Sequence, residues 1–190
     1  MPVHERRARE KDLRHQRIIA AARQLAEAEG WDAVTTRRLA DAIEYSQPVL
    51  YSHFQNKNAI IQAVAVQGFA ELGAAMHAAR QQATAPQAAL LALARAYLTF
   101  AQANPALYEA MFTLADLPYA QPETPAPLLE AFAELCQALA PLTEDRDLET
   151  LGEITWSTLH GMATLTSSHR LRPGHDQQRL TLLIRQLAAS

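Results

Sequence analysis

Cysteine, glycine and aromatic residues are all scarce in this chain of 190 residues, which has one Cys, six Gly and 6% Phe, Trp and Tyr together. The lone Cys136 cannot close an internal disulfide, so the chain reads as one from a reducing compartment. No unbroken run of about 18 apolar residues occurs, and no membrane-spanning helix is expected. The first residues include His4, Glu5, Arg6, Arg7 and Glu10 and lack the apolar stretch of a secretory signal. Few glycines and no alternation of apolar with polar residues argue against strands. What is present is alanine and leucine at helical spacing, within an apolar share of 49%. The expectation is a soluble, cytoplasmic, all-α chain of one or two modest domains.

Charge is unevenly spread. Residues 1–60 carry ten Lys/Arg against eight Asp/Glu, and residues 61–190 carry seven against twelve. The first seventeen residues hold Arg6, Arg7, Arg9, Lys11, Arg14 and Arg17. A basic arm over residues 1–11 ahead of an acidic body suits a polyanion docking at one end, although charge alone favours a solvated terminal helix.

Periodicity predicts about nine helices. The first runs from about Lys11 to Glu29 and ends at Gly30. Thr35 is placed to cap a second helix carrying Leu39, Ala40 and Ile43. Ser46 is placed to cap a short third helix, about Gln47 to Phe54, with Pro48 near its start, where a missing N–H costs least. Asn56 precedes a long fourth helix with the stripe Ile61, Ala65, Phe69, Leu72 and Met76. Later breaks fall near Pro86, Asn104–Pro105, Pro118–Pro127, Pro141 and Pro173–Gly174. The expected division is an N-terminal domain of residues 1–60 and a second of 61–190, with the boundary inside the fourth helix near 57–62.

Two short helices about three residues apart, with apolar anchors at Leu39, Ala40, Ile43, Leu50 and Phe54, meet the requirements of a helix-turn-helix. Thr36, Arg37, Gln47, Tyr51 and His53 are left outward, all able to hydrogen-bond. Arg can grip guanine and Gln adenine, each pairing worth about 1–3 kcal/mol of discrimination. Tyr51 and Lys57 suit phosphates. The same spacing also fits an ordinary helical hairpin with a polar face.

The residues themselves add a resemblance. Thr35-Thr36-x-x-Leu39-Ala40 followed by Ser46-x-x-x-Leu50-Tyr51-x-His53-Phe54-x-x-Lys57, after a helix ending in Gly30-Trp31, resembles the DNA-binding domain of the TetR family of bacterial transcriptional regulators. The resemblance implies that Arg37 and Gln47 read bases, that Pro48 touches a thymine methyl, and that Thr36, Tyr51, His53 and Lys57 position the domain on phosphates. Arg6, Arg7 and Arg9 either reach a minor groove or belong to a tail without fixed structure. One departure stands out: the family usually has Gly in the turn, and this chain has Glu44. A left-handed backbone there costs a non-glycine residue roughly 1 kcal/mol.

For the rest of the chain the resemblance implies a small-molecule effector site, a homodimer built through the last two long helices, and a palindromic double-stranded DNA operator. Trp156, His160 and Gly161 resemble the Trp-His-Gly motif of one subgroup's C-terminal domain. Together with Tyr97, Phe100, Tyr108, Met111 and Phe112, Trp156 and His160 could line an apolar cavity for an apolar or aromatic effector, or serve as ordinary core. Gly152, Ala163 and Ser167 would allow close helix approach at a dimer face about Leu148–Arg170 and His175–Ala188, or inside the protomer. The implied action is a ligand-released repressor, the fourth helix moving as a pendulum.

Enzymatic readings fare poorly. No Glu has a His three residues later on the helix holding Glu149, Glu153 and His160, as a dinuclear carboxylate site would need. His160 and His169 are not in HExxH spacing, Cys136 lacks an evident His partner, and no Gly-rich phosphate loop occurs. No catalytic residue, metal or cofactor is expected. A purely structural helical protein is the third reading, and it leaves the polar face of residues 36–53 unexplained.

Overall fold

The structure is a computed structural model and describes residues 3–143 and 145–188. Among these residues it has nine α-helices and no strand. They are α1 (Val3–Glu29), α2 (Thr36–Ile43), α3 (Gln47–His53), α4 (Lys57–Gln81), α5 (Pro86–Ala103), α6 (Pro105–Glu109), α7 (Ala126–Leu139), α8 (Leu148–Ser167) and α9 (Asp176–Ala188). α6 runs on through a π-helical turn, Ala110–Leu114.

Two compact units emerge. The first comprises α1 to α3, α4 as far as Gly68, and the segment Asn104–Leu117 with α6; the second takes α4 from Phe69, α5, and the chain from Pro118 onward. The passage between them within α4 therefore lies at Gly68–Phe69, and Asn104–Leu117 clusters with the N-terminal helices.

In the first unit, Ile18, Ala22 and Ala26 of α1 are buried together with Leu39, Ala40, Ile43, Leu50 and Phe54. Leu39 and Leu50 are each 1% exposed, and full burial of a leucine contributes about 1.5–3 kcal/mol. The end of α1 clamps α6. Glu27 accepts from the amides of Ala106 and Leu107 at 3.1 and 3.0 Å, satisfying two of the donors that a helix start leaves open. Arg23 donates to Asn104 Oδ1 at 2.8 Å, and buried Trp31 donates its indole N–H to the Ala106 carbonyl at 2.8 Å. Residues 3–10 form the first turns of α1, the terminal-helix reading of the basic arm rather than the tail or minor-groove arm. Glu, Arg, Lys and Ala are good helix formers, and Arg6 pairs with Glu10 one turn on at 3.7 Å.

In the second unit, α5 contacts α7, α8 and α9, and α7 contacts α8. Leu90, Leu93, Tyr97, Leu128, Leu139, Leu159, Leu180 and Ile184 belong to this core. Gly152 lies against α7, where an added Cβ would meet Cys136 Sγ at 2.9 Å and Phe132 Cζ at 3.0 Å. Ala163 is buried as well. Gly152 and Ala163, offered as a possible dimer contact, thus serve packing within the protomer, while Ser167 is exposed and donates to the Thr164 carbonyl at 2.9 Å. Glu134 of α7 ties to α4 through His77 at 2.9 Å and Arg80 at 2.8 Å. α8 ends at Ser167 rather than Arg170 because His169 turns left-handed (φ 56°) and the Arg170 amide donates back to the Leu165 carbonyl.

α4 is long and apolar enough to cross a bilayer by length and composition, although Gln62, Gln67 and Glu71 interrupt it. Half of its apolar stretch is buried inside the protein, as in a core helix.

Candidate nucleic-acid interface

α2 begins where expected. Thr35 Oγ1 accepts from the Arg38 amide at 3.2 Å, the side-chain cap that lets the chain turn into a helix at Thr36. Glu44 then adopts the left-handed conformation, φ 58° and ψ 36°, and its amide donates to the Ala40 and Asp41 carbonyls. The turn geometry is thus kept despite the side chain, which is exposed. Ser46 occupies the cap position of α3 but makes no side-chain cap bond, and Pro48 sits in the first turn. Asn56 Oδ1 accepts from the Ala59 amide at 2.9 Å and starts α4.

These helices are held against α1 by polar links that leave a different face free. Arg38 donates twice to Glu29, at 2.8 and 2.6 Å, which keeps the Glu29 carboxyl below its ordinary pKa. Arg17 donates to the Tyr45 hydroxyl at 3.0 Å, its guanidinium 5.3 Å from the ring centroid. Arg37, Gln47, Pro48 and Tyr51 stay exposed, Tyr51 by 52%, an exposure its apolar ring would not ordinarily favour. Thr36 is half-buried at the start of α2.

Two expected phosphate contacts have partners or surroundings that spacing did not show. Lys57 donates from Nζ to the Trp31 carbonyl; an ammonium has two further donors to offer. His53 is half-buried beside His15, with ring centroids 6.2 Å apart, and its buried Nδ1 has no hydrogen-bond partner among the described residues. Burial, and then the charges of His15, Arg14 and Lys11, hold its pKa below the ordinary histidine value.

The effector candidates divide between the units. Tyr108, Met111 and Phe112 belong to the first, where the Tyr108 and Phe112 rings are 4.6 Å apart and Met111 is buried. Tyr97, Phe100, Trp156 and His160 belong to the second. Tyr97 is buried on α5. Trp156 forms a ring cluster with Tyr119 and Phe132, at 5.5 and 6.0 Å, which sequence reasoning missed because Tyr119 lies in a Pro-rich loop without periodicity. Desolvation lowers the His160 pKa. A cleft of about 520 Å³ between α4 and α5 includes Phe100 and Arg95 among alanines. Among the described residues, no group of three or more His, Cys, Asp and Glu could hold a metal.

A buried hairpin core beneath an exposed Arg, Gln and Tyr face defines a helix-turn-helix DNA-binding protein. Residues 18–64 match the bacterial regulatory proteins of the tetR family, and residues 90–189 match the tetracyclin repressor-like C-terminal domain. The chain belongs to the TetR family of transcriptional regulators. It is 47% identical over 47 residues to the class G tetracycline repressor of Vibrio anguillarum, an alignment covering 25% of this chain and 22% of that repressor. A Rhodococcus sp. RHA1 protein of unknown function shares the fold at 24% identity and TM-score 0.79, covering 92% of this chain and 93% of that one. The transcriptional regulator FadR of Bacillus subtilis, solved with stearoyl-CoA, shares it at 14% identity and TM-score 0.66, covering 93% and 98%.

Proposed function

We propose that this regulator is a homodimeric, cytoplasmic repressor that holds a palindromic operator and releases it when a small effector binds. The exposed face of α2 and α3 over a buried core carries this reading. Arg37 and Gln47 read base edges, Pro48 meets a thymine methyl, and Thr36, Tyr51, His53 and Lys57 contact phosphates. Two copies place two α3 helices about one DNA turn, roughly 34–36 Å, apart.

Exposed α8 side chains support the dimer. Ile154 and Leu165 are 56% and 40% exposed, and with Thr158 and Gly161 they form one stripe at helical spacing. A Cβ on Gly161 would meet nothing within 4 Å in the protomer, which leaves room for another helix. Leu182, 59% exposed on α9, adds a further apolar contact.

The effector is an apolar or aromatic molecule held in the second unit around Trp156 and His160, with Tyr97 and Phe100 of α5 in the same unit. The ring cluster of Trp156, Tyr119 and Phe132 beside a desolvated histidine supports an apolar site with a polar handle. Tyr108, Met111 and Phe112 would respond with the first unit, to which they belong. That a neighbour of this fold was solved with stearoyl-CoA supports a small-molecule role. Effector binding favours a conformation in which the DNA-binding units are spread, α4 carrying the movement; tenfold weaker operator binding corresponds to about 1.4 kcal/mol of coupling.

Selection of bound duplexes from a random pool tests the reading. The expected product is a palindrome whose half-sites lose preference at one position in Gln47→Ala or Arg37→Ala, by about 1–3 kcal/mol. Enrichment of no sequence would overturn it.

A further inference from the structure

The helical start of α1 changes which cations of the basic arm can act together. At 100° per residue, His4, Arg7, Lys11, Arg14, His15 and Ile18 fall within an arc of about 100°. No carboxylate lies in that arc; Glu5, Glu10 and Asp12 fall outside it, and Arg6 and Arg9 lie on the far side. Ile18, at the middle of the arc, is fully buried, so the arc faces the body of the first unit. One turn earlier His15 stacks on Phe54 at the end of α3, with ring centroids 4.4 Å apart. Arg14 beside it, and Lys11 one turn back, are near enough to His53 to oppose its protonation. The stripe therefore starts beside the C-terminal end of α3 and continues beyond it, with residues 4–13 all exposed. Arg6, by contrast, is paired with Glu10.

We propose that residues 4–14 of α1 form a helical phosphate clamp in which Arg7, Lys11 and Arg14 lie along the DNA backbone bordering the groove entered by α3. This rests on the reading of α3 as the element that enters the major groove. Arg7 and Arg14 are about 10 Å apart along the axis, a length that follows a strand's phosphates rather than one point. A helix with its side chains is about 10–12 Å across, and a minor groove about 6 Å wide cannot admit it. The clamp therefore adds affinity without reading sequence. Arg14 also donates from Nε to the Glu10 carbonyl at 3.2 Å, which steadies its side chain and leaves its terminal nitrogens for a phosphate.

The test compares R7A/K11A/R14A with R6A/R9A in the full chain, using the selected palindrome and a random-sequence duplex as probes over about 50–200 mM salt. Each lost phosphate contact lowers the slope of log affinity against log salt by about 0.9, so the triple variant is expected to lose up to about 2.7 per protomer on both probes. Its ranking of operator variants should match the parent, and R6A/R9A should keep the parental slope. Circular dichroism at the helix bands checks that α1 persists, which alanine favours. A parental slope in the triple variant, or an equal loss in R6A/R9A, would overturn the clamp while leaving sequence-specific binding intact. A parent chain that enriches no sequence would overturn the groove-reading helix and the clamp together.

Discussion

Glu44 shows how one residue can break a local rule without breaking the element around it. Its φ of 58° lies where glycine is favoured, and the Ala40 and Asp41 carbonyls hold it there as the end of α2. Glu44→Gly should raise stability by about 1 kcal/mol, read as a shifted urea midpoint with an unchanged slope. His53 and His160 carry a different strain, since burial leads the lowering of the pKa in both. A histidine with a depressed folded pKa holds its proton less readily in the native state than in the unfolded chain, which takes it up near pH 6.5. Their contribution to stability is therefore complete above about pH 6.5 and is lost as pH falls through the folded values. Urea midpoints measured from pH 8 to pH 5 should fall on the acid side, and H53Q or H160Q should flatten that fall.

At the level of elements, α2 and α3 are too short to be stable alone, and tertiary contacts hold them. The Arg38–Glu29 pair ties α2 to α1, the Arg17–Tyr45 contact ties the turn after α2 to it, and the Thr35 cap closes the start of α2 itself. α1 and the turn after it hold the start of α6 through Glu27, Arg23 and Trp31, so a five-residue helix far along the chain is part of the first unit. Glu27→Ala removes the acceptor for two amides at the start of α6 and should cost about 1–2 kcal/mol. Hydrogen exchange should locate the loss at Ala106 and Leu107, the amides that Glu27 holds. If exchange there stayed parental, the clamp from α1 would not matter to α6.

For the whole molecule, the open stripe of α8 is the feature that one protomer leaves unexplained. Gly161→Leu fills space that is empty within the protomer, so it should leave the fold and its melting cooperativity intact. In a dimer that packs through this face it obstructs close approach. Sedimentation velocity should then show the variant shifting to monomer at micromolar concentration, with Ile154→Arg doing the same. Monomeric variants should lose the palindrome and keep weak binding to single half-sites, because each protomer retains its own α3. A variant dimer as tight as the parent would place the symmetry axis elsewhere.

The all-helical class, the helix-turn-helix and its buried anchors were legible in the sequence because they depend on local signals: periodicity, capping residues and Gly30. Leu39, Ala40, Ile43, Leu50 and Phe54 are spaced so that only one face can be buried, and the structure buries them. The course of residues 3–10 was less legible, since a charged stretch without apolar periodicity gives no packing signal even where helix propensity suffices. Tertiary structure alone decided that Gly152 faces Cys136 and Phe132, that Tyr119 joins Trp156, and that Asn104–Leu117 clusters with α1. Those outcomes rest on partners many residues apart, for which a helical stripe records that a face is buried but not which face it meets.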